Sequence, residues 1–299
     1  MKQLTVISGK GGTGKTSVVA SLATMAGKVV LADCDVDAAD LHLVLDPVPM
    51  NSHPFSGGKQ ASIVAEKCIS CGRCQELCRF DAVIGPDRAE KNTETPFRID
   101  PTACEGCGVC AHFCPVEAIL FNDAQNGEWF ISETRVGPMV HAKLGIAEEN
   151  SGKLVSLVRE EARKVAQKEA LSTIIIDGSP GIGCPVIASI TGTDLALLVT
   201  EPTMSGLHDL ERVADLTAHF NIPTVIAINK WDLNTGMTNA IKEVASRREL
   251  PIVGLIRYDR HVTQAQICHK AVTELDSAPA AEDLNNLWKI VAGILLEQA

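Results

Sequence analysis

The chain has 299 residues, 45% of them hydrophobic and 4% aromatic, with 27 Lys and Arg against 37 Asp and Glu for a formal net charge of −10. Such a length and apolar content suit one large α/β domain, or two domains sharing a chain, and exclude a disordered one. The acidic balance and the scarcity of aromatic rings argue against nucleic acid or an anionic membrane as a partner. No apolar stretch approaches the roughly 20 residues that span a bilayer. The opening residues 1–8 read as a first strand and not as a signal peptide, so the expected location is cytoplasmic.

Leu4, Val6 and Ile7 mark that first strand, residues 15–26 read as a helix rich in Ala, Val and Leu, and a second buried strand at 29–32 ends at Asp33. Residues 46–135 change character and are rich in Pro, Gly, Cys and turn residues. After 136 the alternating pattern resumes. Leu154, Leu157, Val158, Ala162 and Val165 recur at helical spacing within 153–170, and Glu160 precedes Lys164 by one turn. Strands follow at 173–177, 195–199, 224–229 and 252–255, with helices between them. Continuous β-branched runs alternating with helices imply a mostly parallel sheet covered on both faces. The expected architecture is an α/β domain built from 1–48 and 136–299, split by a small α+β insert at 49–135. Surface loops tolerate such insertion because closure entropy grows slowly with length.

Gly9-Lys10-Gly11-Gly12-Thr13-Gly14-Lys15-Thr16 fits G-x-x-x-x-G-K-[ST], after a strand and at the start of a helix. Glycines let backbone N–H groups converge on phosphate oxygens, and the helix start adds positive potential. Gly11, Gly12, Thr13 and Gly14 would form the cradle, Lys15 would reach the β/γ-phosphates, and the Thr16 hydroxyl would ligate Mg²⁺. Asp33-Cys34-Asp35 closes the second strand, and Asp177 closes Thr173-Ile-Ile-Ile-Asp177. Carboxylates at the C-terminal ends of parallel strands sit where this class of sheet binds ligands. Asp37 and Asp40 read as solvated helix residues.

The lysine after the first glycine, Lys10, resembles the deviant phosphate loops of the MinD/ParA/Mrp ATPases and the nitrogenase iron protein. That resemblance implies ATP with Mg²⁺, hydrolysis, and a dimer of two subunits, identical or related, that sandwich two ATP molecules. Lys10 would reach phosphate across the interface, Asp35 would orient the attacking water, Asp177 would hold Mg²⁺ through water, and Asn229 would read adenine. Asn229-Lys230-Trp231-Asp232 also matches the guanine-reading NKxD pattern; the Lys10 loop favours ATP. Residues 137–145 and 201–210 resemble family segments of unassigned role. His141 and His208 within them read as structural histidines.

Eight of the eleven cysteines fall in two runs of four, Cys68, Cys71, Cys74, Cys78 and Cys104, Cys107, Cys110, Cys114, offset by 36 residues. Gly72 matches Gly108 and Ala82 matches Ala118, so the repeat extends beyond the cysteines. C-x-x-C-x-x-C-x-x-x-C resembles the bacterial ferredoxin spacing, in which the fourth cysteine of each run serves the other cluster. That resemblance implies two 4Fe-4S clusters, one on Cys68, Cys71, Cys74 and Cys114, the other on Cys104, Cys107, Cys110 and Cys78. Zinc knuckles are the alternative, since C-x-x-C pairs also suit tetrahedral zinc. The second run continues into Pro115 as ferredoxins prefer, and the first into Arg79. Cys34 and Cys268 read as buried small hydrophobes. Cys184, seven residues after Asp177, resembles in position a cluster-ligating cysteine of the nitrogenase iron protein, without its partner cysteine.

The chain as a whole resembles MinD-superfamily ATPases with an inserted ferredoxin domain. Three functions follow: an ATP-gated electron-transfer protein with a redox partner; an assembly or carrier ATPase with a metal-cofactor client protein; and a MinD/ParA-type positioning ATPase. The C-terminal Leu284, Leu287 and Val291 read as a core-facing helix and not a membrane anchor.

Overall fold

The Ile-, Val- and Leu-rich runs form strands because each is buried on both faces, where branched side chains pack well against a pleated surface. The structure, a computed structural model, describes residues 1–85, 97–145 and 152–297. Those parts of the expected insert and second half at 86–96 and 146–151 lie outside the described residues. The elements begin with β1 (Lys2–Ser8), α1 (Lys15–Met25), β2 (Val30–Asp33), α2 (Leu41–Leu45), β3 (Val48–Phe55) and β4 (Gly58–Ile63). Next come α3 (Arg73–Leu77), β5 (Val83–Ile84), β6 (Arg98–Ile99), α4 (Val109–His112), β7 (Ile119–Ala124), β8 (Gly127–Thr134) and β9 (Gly137–Leu144). The remainder is α5 (Gly152–Lys168), β10 (Thr173–Pro180), α6 (Cys184–Ile190), β11 (Leu195–Thr200), α7 (Met204–His219), β12 (Thr224–Asn229), α8 (Thr235–Arg247), β13 (Ile252–Ile256), α9 (His261–Ile267) and α10 (Pro279–Glu297).

Two compact units result. The first comprises 1–53, 129–143 and 152–297, the second 54–85, 97–128 and 144–145. In the first, the described residues form one nine-stranded sheet in the order β13-β12-β11-β1-β10-β2-β9-β8-β3. Strands β13 through β9 in that order pair in parallel. Alternate side chains divide between two cores. Leu4, Val6, Leu197 and Val199 pack on the side that buries α1 and α10, and Ile7, Leu198 and Ile228 on the side that buries α6, α7 and α8. Helix α5 buries Leu154, Val155, Val158, Ala162 and Val165 along one face and packs on α6. In the second unit β4 pairs antiparallel with β7, and β5 with β6, beside the short helices α3 and α4.

The unit boundaries lie inside the expected 48/49 and 135/136, because β3 and β8 extend the large sheet beyond β9. Asp37 and Asp40 are exposed as expected, but they occupy a turn and the residue preceding α2 instead of a helix. Cys34 is fully buried, whereas Cys268 is exposed at the end of α9. The expected burial of Cys268 is thus corrected: its helix buries only Ala265 fully, with Val262 packed against the core, and Cys268 lies off that face. Among the described residues, no helix is long and apolar enough to cross a membrane.

Candidate functional site

Register brings the acidic strand ends together. Asp177 of β10 pairs with Asp33 of β2 on one side and with Val6 of β1 on the other, and β1 runs directly into the glycine loop. Gly178 lets β10 approach β1, since a Cβ there would collide with the Ile7 side chain. Gly14, at φ +89°, opens α1, and a Cβ on it would collide with the Asn229 amide. The loop is thereby fixed between the ends of β1 and β12.

Lys15 lies at the centre. Its Nζ is 2.5 Å from Asp177 Oδ1 and 3.1 Å from Asp35 Oδ2, with all three side chains largely buried. Burial pushes the Lys15 pKa down, but the charges of Asp177 and Asp35 outweigh it and hold the ammonium well above its ordinary range. Burial pushes the Asp33 carboxyl well up, with Asp177 adding repulsion. Asp35 is also raised, by burial first, against the opposing pull of Lys15. Asp35 and Asp177 share the one cation, with the Asp33 carboxyl beside them. Asp33 Oδ2, Asp177 Oδ2 and Thr13 Oγ1 are buried with no hydrogen-bond partner. Buried polar atoms left unpaired in this way mark groups that a ligand would satisfy.

A cavity of about 360 Å³ opens beside the loop, lined by Gly11 to Thr16, Asp35, Asn229, Lys230 and, from the far side, Arg257, Tyr258 and Gln266. That volume lies in the range of small-molecule sites. Asn229 lines it while its Nδ2 donates to Thr13 O at 2.7 Å and its Oδ1 accepts from Lys230 N at 3.0 Å. The amide therefore buttresses the loop as well as facing the cavity. Asp232 accepts the Tyr258 N–H at 2.7 Å and holds the segment after β13 in place.

Lys10 is drawn to one side. Its Nζ is 2.7 Å from Glu201 Oε1 and donates to Ser205 Oγ at 2.8 Å. Glu201 also pairs with Lys230 at 3.1 Å, and Lys230 in turn donates to Gly12 O. Burial opposes ionisation of Glu201, but the two lysines hold its carboxyl below the ordinary value. Thr203 caps α7 by accepting from Gly206 N at 2.9 Å. Residues 201–206 thus anchor the lysine of the loop. Sequence reasoning did not find Glu201 in this role, nor Arg257, Tyr258 and Gln266; the signal for the middle two was their place after the C-terminal end of a parallel strand. His141 is satisfied, hydrogen-bonded to Ser132 Oγ at 2.8 Å and stacked on Phe130, and burial lowers its pKa to about 4. His208 is exposed.

In the second unit, one cavity is lined by Cys68, Cys71, Cys74 and Cys114, and another by Cys78, Cys104, Cys107 and Cys110. Each combines three cysteines of one run with the fourth of the other, the grouping that the ferredoxin resemblance implies. All eleven cysteines are free thiols. Burial raises the pKa of Cys74 and Cys110. Among the described residues, no group of three or more His, Cys, Asp or Glu closes around a single metal ion. A cubane makes a different demand, since it presents a separate iron to each thiolate. Cys184 is exposed at the start of α6.

Sheet order, glycine loop and acidic strand ends define a P-loop nucleotide-binding α/β fold. The chain belongs to the CobQ/CobB/MinD/ParA nucleotide-binding-domain family, CbiA, whose profile matches residues 4–272. It is 36% identical over 236 residues to the uncharacterised protein MJ0578 of Methanocaldococcus jannaschii, spanning 78% of this chain and 79% of that one. Its fold is similar to the septum site-determining protein MinD of Pyrococcus horikoshii complexed with Mg-ADP, with TM-score 0.59 and 16% identity over 100% of this chain and 98% of that one. It is also similar to Cyanothece McdA(D38A) in complex with ATP, with TM-score 0.54 and 18% identity over 99% and 96% of the two chains.

Proposed function

We propose that this protein is an Mg-dependent ATPase that couples nucleotide-driven dimerisation to electron transfer through two 4Fe-4S clusters. The observation that carries the proposal is the pair of cavities, each lined by four cysteines drawn from both runs, in a chain that also holds a complete phosphate loop. The donor sets fit the clusters in number and type, because thiolates hold cubanes and each run shares its fourth cysteine with its neighbour. When bound, the clusters would supply one-electron redox chemistry that no protein side chain here provides.

The nucleotide half follows the same reasoning. Gly11 to Gly14 would cradle the phosphates, Lys15 would leave its carboxylate partners for them, and Thr16 with Asp177 would serve Mg²⁺. The unpaired Asp177 Oδ2 is an acceptor for a water held by that ion. Asp35 would orient the attacking water, and Asn229 and Tyr258 would flank the base. ATP is favoured over GTP by the Lys10-type loop, while one carboxylate oxygen of Asp232 is taken by the Tyr258 N–H. Lys10 would exchange Glu201 for a phosphate of the partner subunit.

An anaerobic preparation tests the reading. Iron and sulfide analysis should give eight of each per chain, EPR should show reducible clusters, and sizing with ATP should show a dimer. Absence of iron, or a monomer at saturating ATP, would count against it.

A second reading is a positioning ATPase, favoured by the fold similarity to MinD and McdA. It predicts ATP-dependent attachment to a surface or to a positioned cargo. Co-sedimentation with anionic vesicles in ATP but not ADP would support it over the first. The burial of Leu284, Leu287 and Val291 in α10 leads us to expect none.

A further inference from the structure

The two cysteine cavities come from a repeat, and much of their surroundings is duplicated. Gly72 and Gly108 open α3 and α4 with nearly the same φ, 76° and 74°. Backbone N–H groups at the start of each helix favour the thiolate of Cys74 and of Cys110 alike. These contributions cancel when the two sites are compared. What remains differs in sign.

Arg73 lines the cavity of Cys68, Cys71, Cys74 and Cys114, with its guanidinium 5.9 Å from the centre of the Phe113 ring. Glu105 lines the cavity of Cys78, Cys104, Cys107 and Cys110. The Ala118 N–H also donates to Cys114 Sγ at 3.2 Å, a bond without a counterpart between Ala82 and Cys78 among the described residues. Reducing a cluster adds one negative charge to it. A cation in the wall and an extra N–H···S bond stabilise that charge, whereas an anion in the wall opposes it. These three differences act in one direction; Arg79, beside Cys78 where the other run has Pro115, acts against them but is exposed and outside both linings.

We infer that the two clusters are unequal: Arg73 and Glu105 set the potential of the cluster on Cys68, Cys71, Cys74 and Cys114 above that of the other. The inference rests on the cluster reading above and specifies how electrons distribute within it. A single electron resides mainly at the Arg73 site, and one entering at the Glu105 site moves downhill to it. The duplicated module is then a relay with a direction. Arg73 and Glu105 act as positioning residues for charge and bind no iron themselves. Both are exposed, so solvent screening keeps each contribution modest.

Reductive titration followed by EPR tests this on the full-length holoprotein. Wild type should give two separate midpoints. Arg73→Gln should lower only the upper one, Glu105→Gln should raise only the lower one, and Arg73→Lys, which keeps the charge, should retain the wild-type value. Each neutralising change should alter the equilibrium ratio between clusters by up to about tenfold, or about 59 mV for one electron. Arg79, next to Cys78 but outside both linings, provides the control, and Arg79→Gln should move either midpoint less. Coincident midpoints in wild type, a shift of the wrong cluster, or an Arg79→Gln effect as large as that of Arg73→Gln would overturn the assignment. Protein that binds nucleotide but contains no iron or sulfide would instead overturn the cluster reading itself.

Discussion

The nucleotide unit and the cysteine unit are stabilised in opposite ways. Around Lys15 the charges are buried and held by a sheet whose strands are packed on both faces. Among its described residues the second unit has little core of its own: Phe55, Ala61, Ala82, Val83, Phe97 and Ala118 are buried, while Ile69, Phe80, Phe113 and Leu120 are exposed. A unit so small and so poorly cored needs a staple. The first site is therefore organised before its ligand arrives, and on the proposed cluster reading the second would depend on its ligand for stability.

The largest test of that contrast is removal of iron. Anaerobic chelation should abolish hydrogen-exchange protection across 54–85 and 97–128 while leaving the large sheet protected, because cluster binding and folding are linked in small metal-bound units. Equal protection in both units after chelation would erase the contrast.

Next in size, Lys15→Gln should weaken ATP binding on the order of a hundredfold, about 3 kcal/mol, without changing iron content. Calorimetry and iron analysis on the same sample check both halves. Loss of iron together with ATP binding would show that the units are not independent in this respect.

A smaller effect concerns Asp33. Burial and Asp177 hold its carboxyl well above its ordinary value, so the native state keeps a proton that the unfolded chain releases. Its ionisation therefore costs stability progressively as pH rises above about 4 towards the raised native value. Asp33→Asn mimics the protonated form. It should raise Tm at neutral pH by about 2–4 °C, with the gain vanishing near pH 4; thermal melts across pH measure it. A gain independent of pH would mean the charge is not the cause.

The smallest effect is expected at Glu201. Glu201→Gln loosens both Lys10 and Lys230, and sizing in ATP should show about threefold tighter dimerisation, as expected for a partly exposed pair. Weaker dimerisation would assign Glu201 to the interface instead.

Much of this was legible in the chain. Parallel strands announce themselves as unbroken runs such as Ile174-Ile-Ile176, and the glycine loop and paired cysteine runs are local patterns in which each residue has a chemical reason. β3 was not legible. Val48-Pro-Met-Asn-Ser-His-Pro54 carries two prolines and is exposed throughout, so it reads as a loop. Only its place at the sheet edge, where missing N–H groups are tolerated, makes it a strand. Glu201 escaped for another reason: its contact with Lys10 spans 191 residues of sequence and arises only when α7 docks beside the loop. Cys268 misled because a cysteine's burial depends on which face of its helix it occupies, and α9 is too short to show a period.

The most direct test of the account is ATP affinity measured anaerobically in the same protein with its clusters oxidised and then reduced. Coupling is reciprocal, so a nucleotide that alters the clusters must bind the two redox states differently. The account predicts a change in Kd of about fivefold or more. Identical affinities in the two states would contradict it.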